Sequence, residues 1–212
     1  MTTPRRGPGR PRKVDAGDTK AALMSAALRL FARNGYAGTS IRSIAREVGL
    51  SESVLYAHFA GKQAIFDAVL SALGPKNPLD ITALGSSAPA EDDPPHYLRE
   101  LVRASLEEWE QDDARLLISM MARDGLLHSS AVRDAVSAMR TQVSLLFDRW
   151  ITAGLIPADL AAPEDLAMSF TGFIGLTRIL HLHAEATDQD RAQARDEIRR
   201  HTETFIRVTF RD

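Results

Sequence analysis

Hydrophobic positions in this chain recur every three to four residues, which is the period of an amphipathic α-helix. In residues 19–73 the pattern predicts four helices. The first stops at Gly35, as at a left-handed C-terminal cap, and the second is short and ends at Gly49. The third opens at the N-cap Ser51, and the fourth begins at Lys62. This segment is therefore expected to be wholly helical.

The same period returns after residue 95 and predicts five further helices. Between the two helical parts, residues 74–95 hold five of the ten prolines and an acidic run. This stretch is either a plain linker or a functional lid. No alternating strand pattern or internal repeat occurs, so we expect an all-α fold of about nine helices.

Charge is distributed unevenly along the chain. The net charge is −2, but residues 1–73 hold 11 Lys and Arg against 5 Asp and Glu, while residues 74–212 hold 15 against 23. A basic segment joined to an acidic one indicates a polyanion-binding surface on the first. A chance clustering of solvated charges is the alternative.

Composition excludes several classes of protein. The chain has no cysteine, which rules out disulfides, thiolate zinc sites and iron–sulfur clusters. No uncharged helical run approaches the roughly 18 residues of a membrane span, and no apolar segment follows the basic N-terminus as a secretory signal requires. No nucleotide-binding loop or hydrolase motif is present. We expect a cytoplasmic protein that is not an enzyme and uses no metal, cofactor or membrane.

Two of the predicted helices have the spacing of a helix-turn-helix. The turn between them falls at Gly49, where a left-handed backbone is needed that glycine adopts without strain. The second helix must enter a major groove about 12 Å wide, so its first residues have to be small or hydrogen-bonding. The residues that meet this demand are Ser51, Glu52, Ser53 and Val54.

The motif belongs to a longer set of spaced positions, which are Phe31–Tyr36, Thr39–Ala45, Val48–Ser51, Leu55–Phe59 and Lys62. Taken together, these positions resemble the TetR-type transcriptional regulators. The resemblance implies four parts. They are a basic disordered arm (1–18), a three-helix helix-turn-helix domain that binds double-stranded DNA (19–73), a linker (74–95) and a helical effector-binding and dimerisation domain (96–212).

The resemblance also implies roles for individual residues. Thr39 and Ser40 match phosphate contacts, and Arg42 matches a contact to phosphate or to guanine, whose O6 and N7 suit the arginine fork. Three further positions match residues that clamp phosphates, namely Tyr56, His58 and Lys62. A core ring with its hydroxyl at the surface is the alternative for the tyrosine.

Two residues of the motif depart from the commonest family pattern. Glu52 stands where a neutral or basic residue is frequent, and Ser53 stands where glycine is frequent. A carboxylate near phosphates opposes binding unless it accepts from a cytosine amine or turns to solvent.

The N-terminal segment Arg5–Lys13 resembles an AT-hook. Its prolines hold the backbone extended, and Arg10 and Arg12 would seek the negative potential of a narrow A·T minor groove. Non-specific attraction to phosphates and an idle tail are the alternatives.

In the resembling family, the C-terminal helices form a ligand pocket and a dimer interface. The candidates for an apolar pocket are thioethers and flat rings, namely Trp109, Met120, Met121, Phe147, Trp150 and Phe170. The candidates for the dimer interface are Phe173, Ile174, Thr177 and Phe205. For both sets the alternative is the intramolecular core.

The resemblance thus implies a homodimeric repressor of a near-palindromic operator, with half-sites about one DNA turn (~34 Å) apart. A small hydrophobic or aromatic effector would swing the fourth helix, residues 62–73, and move the reading heads out of register. An architectural DNA binder without an effector is the alternative.

Overall fold

The computed structural model of the protein describes residues 16–73 and 93–210. Within these ranges the chain forms nine α-helices and one short 3-10 turn, with no strand, which confirms the predicted all-α fold. The helices are α1 (Ala16–Gly38), α2 (Ile41–Glu47), α3 (Glu52–His58), α4 (Lys62–Leu73), α5 (Pro94–Trp109), α6 (Asp112–Arg123), α7 (Ser130–Thr152), α8 (Pro163–His181) and α9 (Asp188–Thr209), with the 3-10 turn at Leu126–His128 between α6 and α7.

Two predicted segments fall outside the described residues. They are residues 1–15, with Arg10 and Arg12 of the predicted arm, and residues 74–92 of the predicted linker. In the described part of the chain, no helix is both long and apolar enough to cross a membrane.

Buried hydrophobic side chains of the described residues form two clusters. The first cluster joins α1–α4 to one face of α6, from which Leu117 and Met120 enter it. The second joins α5, α7, α8 and α9 around a set of aromatic rings, namely Phe147, Trp150, Phe170 and Phe205. Helix α6 follows α5 in the C-terminal half of the sequence, yet its buried face packs against the N-terminal helices.

Helix α1 is bent at Gly35, where the sequence predicted its end. Gly35 has φ 73° and ψ 167°, and the helix continues beyond it for one turn. A Cβ here would lie 3.1 Å from Oδ1 of Asp124, so both backbone and space favour glycine. The extra turn forms because Thr39 and Lys62 donate to carbonyl groups around the bend. At its other end α1 begins at Ala16, three residues before the predicted start.

Candidate DNA-binding surface and effector region

Helices α2 and α3 form the predicted helix-turn-helix. Ile44 and Ala45 of α2 and Leu55 of α3 are buried in the first cluster, so apolar contact fixes the two helices together. The turn bonds back to α2 through the Leu50 N–H, which donates to the Ala45 carbonyl at 2.9 Å. Gly49 has φ 69°, and a Cβ there would meet no described atom within 4 Å. Glycine is therefore required by backbone conformation, which confirms the predicted left-handed turn.

The outer face of α3 carries side chains that the fold does not bury. Tyr56 is 54% exposed and Val54 is 37% exposed, although both are large and partly apolar. Ser51 and Ser53 are exposed, and the Ser51 hydroxyl makes no capping bond to the helix. His58 is half-buried at the end of the helix. The exposure of Tyr56 excludes the alternative of a core ring.

Thr39, one of the two predicted phosphate contacts before α2, faces the interior. Its side chain is 2% exposed, and its hydroxyl donates to the carbonyls of Leu30 at 3.1 Å and Gly35 at 2.9 Å. The phosphate role predicted for Thr39 is therefore corrected, because the hydroxyl is already used to close the bend in α1. Ser40, the other candidate, is exposed and caps α2 by accepting from the Ser43 N–H at 3.0 Å.

The ammonium group of Lys62 is held by the protein. It donates to the carbonyls of Tyr36 at 2.7 Å and Thr39 at 2.8 Å, and it lies 4.2 Å from the centroid of the Tyr36 ring. An ammonium has three N–H donors, so one remains. A phosphate contact of Lys62 stays a prediction. The same ammonium group also binds the carbonyls at the end of α1.

Arg42 and Glu52 form an ion pair across the helix-turn-helix. The Nε of Arg42 lies 3.1 Å from Oε1 of Glu52, and the two side chains are 83% and 44% exposed. The carboxylate that departs from the family pattern is thus paired with the guanidinium predicted to contact guanine or phosphate.

Asp124, at the C-terminal end of α6, binds the bend of α1. Its two carboxylate oxygens accept from the Tyr36 N–H at 2.8 and 3.0 Å. Sequence reasoning missed this residue because its partner lies 88 positions away and no local pattern marks the pair. The neighbouring Gly125, with φ 69°, marks only the end of the helix. The contact links the helix-turn-helix region to the C-terminal half of the chain.

The six predicted pocket residues do not line one cavity. Phe147, Trp150 and Phe170 are at most 2% exposed, and Phe147 packs edge-on against the other two rings at centroid separations of 5.3 and 6.3 Å. Trp109 packs against the edge of the same cluster. The remaining two residues belong to the first cluster, namely Met120 and Met121. The prediction is corrected because the rings fill the space between themselves, and the methionines face the N-terminal core.

An open cleft of about 540 Å³ lies between α6 and the segment after α8. It is lined by Ile118, Ser119, Ala122, Arg123, Ile179, His183 and Glu185. The buried Ser119 hydroxyl donates to Glu185 at 3.0 Å and accepts from the Ala184 N–H at 2.9 Å. Burial acts to raise the pKa of Glu185, but hydrogen bonds from Ser119, from its own backbone N–H and from His183 outweigh it, and the pKa is lowered.

The four predicted dimer residues fall on different sides of α8 and α9. Phe173 is 40% exposed and stacks on His201 at a centroid distance of 4.9 Å. The prediction is corrected for three others, which are at most 8% exposed inside the subunit, namely Ile174, Thr177 and Phe205. The exposed apolar residues of α8 are Met168, Phe173, Leu176, Ile179 and Leu180. Leu176 is three or four residues from Phe173, Ile179 and Leu180, which places these four on one side of the helix, and Met168 lies about two turns before Leu176.

Comparison with known proteins agrees with this architecture. The sequence profile described as "Bacterial regulatory proteins, tetR family" matches residues 23–69. The transcriptional regulator RutR of Escherichia coli is 32% identical over 155 residues, which cover 71% of this chain and 69% of RutR. The regulator TtgR of Pseudomonas putida is 26% identical over 187 residues, or 83% of this chain and 86% of TtgR.

A solved structure shows the same fold at lower sequence identity. SmeT, described as the repressor of the Stenotrophomonas maltophilia multidrug efflux pump SmeDEF, aligns with a TM-score of 0.70 and 17% identity over 94% of each chain. With the identity and coverage of RutR, the profile match and the helix-turn-helix geometry, the chain belongs to the TetR family of transcriptional regulators.

Proposed function

We propose that this protein is a homodimeric repressor that binds a near-palindromic operator and releases it on binding a small effector. The observation that carries the proposal is the outer face of α2 and α3. Arg42, Ser53 and Tyr56 project there into solvent, while Ile44 and Leu55 anchor the same helices in the core. Repression is supported by SmeT, which is described as the repressor of an efflux pump.

Helix α3 has the dimensions of a recognition helix. An α-helix with its side chains is about 10–12 Å in diameter, so α3 can enter a major groove about 12 Å wide. We assign contacts to base edges to four residues, namely Arg42, Ser51, Ser53 and Val54. We assign contacts to flanking phosphates to Ser40, Tyr56, His58 and the remaining donor of Lys62. The basic arm, with Arg10 and Arg12, would add contacts in the adjacent minor groove.

Dimerisation is supported by the exposed apolar side of α8. Leu176 and Leu180 are each 56% exposed, and Met168 is 48% exposed on the same side. A continuous apolar stripe in water is unfavourable, and a second copy of the same helix would cover it around a two-fold axis. Two recognition helices about 34 Å apart would then read two half-sites.

Effector control is supported by the position of α6. Leu117 and Met120 of this helix lie in the N-terminal core, and Asp124 holds the bend of α1. Ser119 and Arg123 of the same helix line the cleft that faces α8. Suppose that α6 can take two positions and that a ligand in the cleft binds one of them more tightly. The ligand then shifts the protein toward the conformation of the DNA-binding domain that goes with that position. The movement would reach α4 as well, because α4 and α6 share the first cluster.

The test is to bind the purified full-length protein to sheared DNA from its own genome at about 150 mM salt and to sequence the retained fragments. We expect a few sharp peaks that contain a palindrome. In parallel, Tyr56→Ala removes a ring from α3, and Arg149→Ala removes an exposed side chain from α7. The first variant should lose the peaks and the second should keep them.

Other outcomes would contradict the proposal in different ways. Broad retention of A·T-rich DNA without a palindrome, abolished by Arg10→Ala together with Arg12→Ala, would indicate an architectural binder that uses its arm. Peaks that survive Tyr56→Ala would place the DNA contacts elsewhere on the molecule.

A further inference from the structure

Arg178, on α8, forms no ion pair within the part of the chain that the structure describes. Its Nε has no solvent contact and no hydrogen-bond partner there. One face of the guanidinium lies against the half-buried ring of Trp109, with Cζ 4.6 Å from the ring centroid. An arginine that is largely removed from water and makes no hydrogen bond to any described residue has unused donor capacity.

The nearby carboxylates do not supply the missing partner. Glu110, next to Trp109, binds Arg195 of α9 at 2.7 Å. Glu108 attracts Arg178 electrostatically but forms no hydrogen bond with it. A useful contrast is Arg115, whose Nε is also buried without a partner but whose terminal nitrogen donates to Asp112 at 2.7 Å. Arg178 lacks even that compensation.

The burial of Arg178 makes the charged form of its guanidinium less stable. Burial lowers the pKa of Arg178 to about 10, and the attraction of Glu108 only partly opposes the shift. An unpaired guanidinium that is largely removed from water is unfavourable, and a residue perturbed in this way is a candidate for a ligand-binding site.

We propose that Arg178 and Trp109 form a binding site for a small organic anion, a carboxylate attached to an apolar body. The carboxylate would accept from the two terminal nitrogens of Arg178 in the paired geometry that a guanidinium offers. The apolar body would lie along Trp109 at the edge of the second cluster. This inference deepens the proposed function and rests on it for one point only, that the bound anion is the effector.

The location of the site connects it to the DNA-binding domain. Trp109 is the last residue of α5, and α6 begins three residues later at Asp112. The far end of α6 holds the bend of α1 through Asp124. An anion bound at Arg178 therefore acts on the start of the helix whose other end contacts the helix-turn-helix region.

Tryptophan fluorescence tests the site directly, because the chain has only two tryptophans and one of them touches Arg178. The probes are benzoate and hexanoate, each compared with its uncharged amide, titrated into the full-length protein. We expect a saturable change with at least one acid and no change with its amide. Arg178→Met should weaken acid binding at least tenfold, and Arg149→Met, an exposed arginine on α7, should not. An amide that binds as well as its acid, the absence of any acid response, or an unaltered response of Arg178→Met would overturn the proposal.

Thermal unfolding without ligand supplies a second readout that needs no probe. If Arg178 serves a ligand, Arg178→Met should melt at the same temperature as the wild type or higher, because an uncompensated charge has been replaced by an apolar chain of similar length. A lower melting temperature, or failure of both Arg178→Met and Arg178→Gln to fold, would make Arg178 a structural residue and refute the site.

A DNA-release assay separates this inference from the proposed function. The operator fragment is titrated with the acid that binds, using the wild type and Arg178→Met. Release from the wild type alone supports both proposals. Binding of the acid without release would leave the anion site standing and refute its role as the effector site.

Discussion

A single ion pair alters the charge of the surface that we propose binds DNA. Arg42 and Glu52 lie 3.1 Å apart on neighbouring helices, and both are exposed. An exposed pair contributes only about 0–1 kcal/mol to stability, so its main consequence lies in what Arg42 can contact. In the pair, the carboxylate both orients the guanidinium and lowers the positive charge that Arg42 would present to phosphate.

Replacing Glu52 with glutamine tests this effect. We expect Glu52→Gln to bind operator DNA about three- to tenfold more tightly at low salt, because a carboxylate near phosphates has been removed and Arg42 has been released. Fluorescence anisotropy with a labelled operator measures the change, and Glu47→Gln, on α2, is the control for the same change of charge outside α3. Weaker binding of Glu52→Gln would instead indicate that the carboxylate accepts from a base amine.

Thr39 illustrates how one buried hydroxyl supports the surface beside it. Thr39→Val keeps the shape of the side chain but removes the donor to the Leu30 and Gly35 carbonyls. We expect a loss of about 1–3 kcal/mol in the free energy of unfolding, measured with urea, because buried acceptors lose their partner. Thr39→Ser keeps the hydroxyl and should lose less. Normal stability together with weakened DNA binding would restore the phosphate role.

At the scale of elements, α6 is the helix that contacts both halves of the chain. Its apolar side chains enter the N-terminal core, and its C-terminal Asp124 accepts from the Tyr36 N–H. The Gly35 bend leaves room for that carboxylate, since a Cβ would lie 3.1 Å from it. A displacement of α6 therefore moves the end of α1, which leads directly into the helix-turn-helix.

Removal of the Asp124 carboxylate should weaken this link. In Asp124→Ala the Tyr36 N–H loses its acceptor, so we expect a loss of about 1–3 kcal/mol in unfolding free energy and faster hydrogen exchange at the Tyr36 amide. Asp134→Ala, at an exposed site on α7, is the matched control. Unchanged exchange at Tyr36 would show that packing alone holds the bend.

The link between α5 and α9 should be sensitive to acid. Arg99 donates to both oxygens of Glu203 at 2.7 and 2.9 Å, and these bonds hold the pKa of Glu203 below its usual value against the opposing effect of burial. The stabilisation is present above the unfolded pKa, about 4.3, and is lost as pH falls through the lower folded value. Urea denaturation should therefore find Glu203→Gln less stable than the wild type at neutral pH, with the difference shrinking as the pH falls below the unfolded value of about 4.3. A difference that does not shrink with falling pH would contradict this.

For the whole molecule, the unpaired apolar side of α8 determines the assembly we expect. Leu176→Glu places a charge in the centre of that side, so we expect a monomer in analytical ultracentrifugation and at least about tenfold weaker binding to a two-half-site operator. Leu145→Glu is a close match, because Leu145 of α7 is 55% exposed against 56% for Leu176. It should leave the assembly unchanged. A dimer that persists in Leu176→Glu would move the interface elsewhere.

Local sequence features predicted much of the fold and of the candidate DNA-binding surface. The helical period, the left-handed Gly49 and the small residues at the start of α3 depend on neighbours along the chain, and they were placed correctly. The phosphate role that the family resemblance implied for Thr39 was wrong, and so was the placement of three of the four dimer residues. Both faces of α8 are apolar, so periodicity located the helix but did not distinguish its buried side from its exposed side.

The sequence by itself therefore determined that this chain is a helical protein with a helix-turn-helix and belongs among the TetR-type regulators. Tertiary structure alone decided which side chains stay exposed and which find partners. It buried the Thr39 hydroxyl, paired Glu52 with Arg42 and packed the aromatic rings of the predicted pocket against one another. It also gave the buried Nε of Arg178 no hydrogen-bond partner among the described residues. The physical reason is that helix formation and capping are set within a few residues, whereas burial and charge compensation are set by partners that only folding brings together.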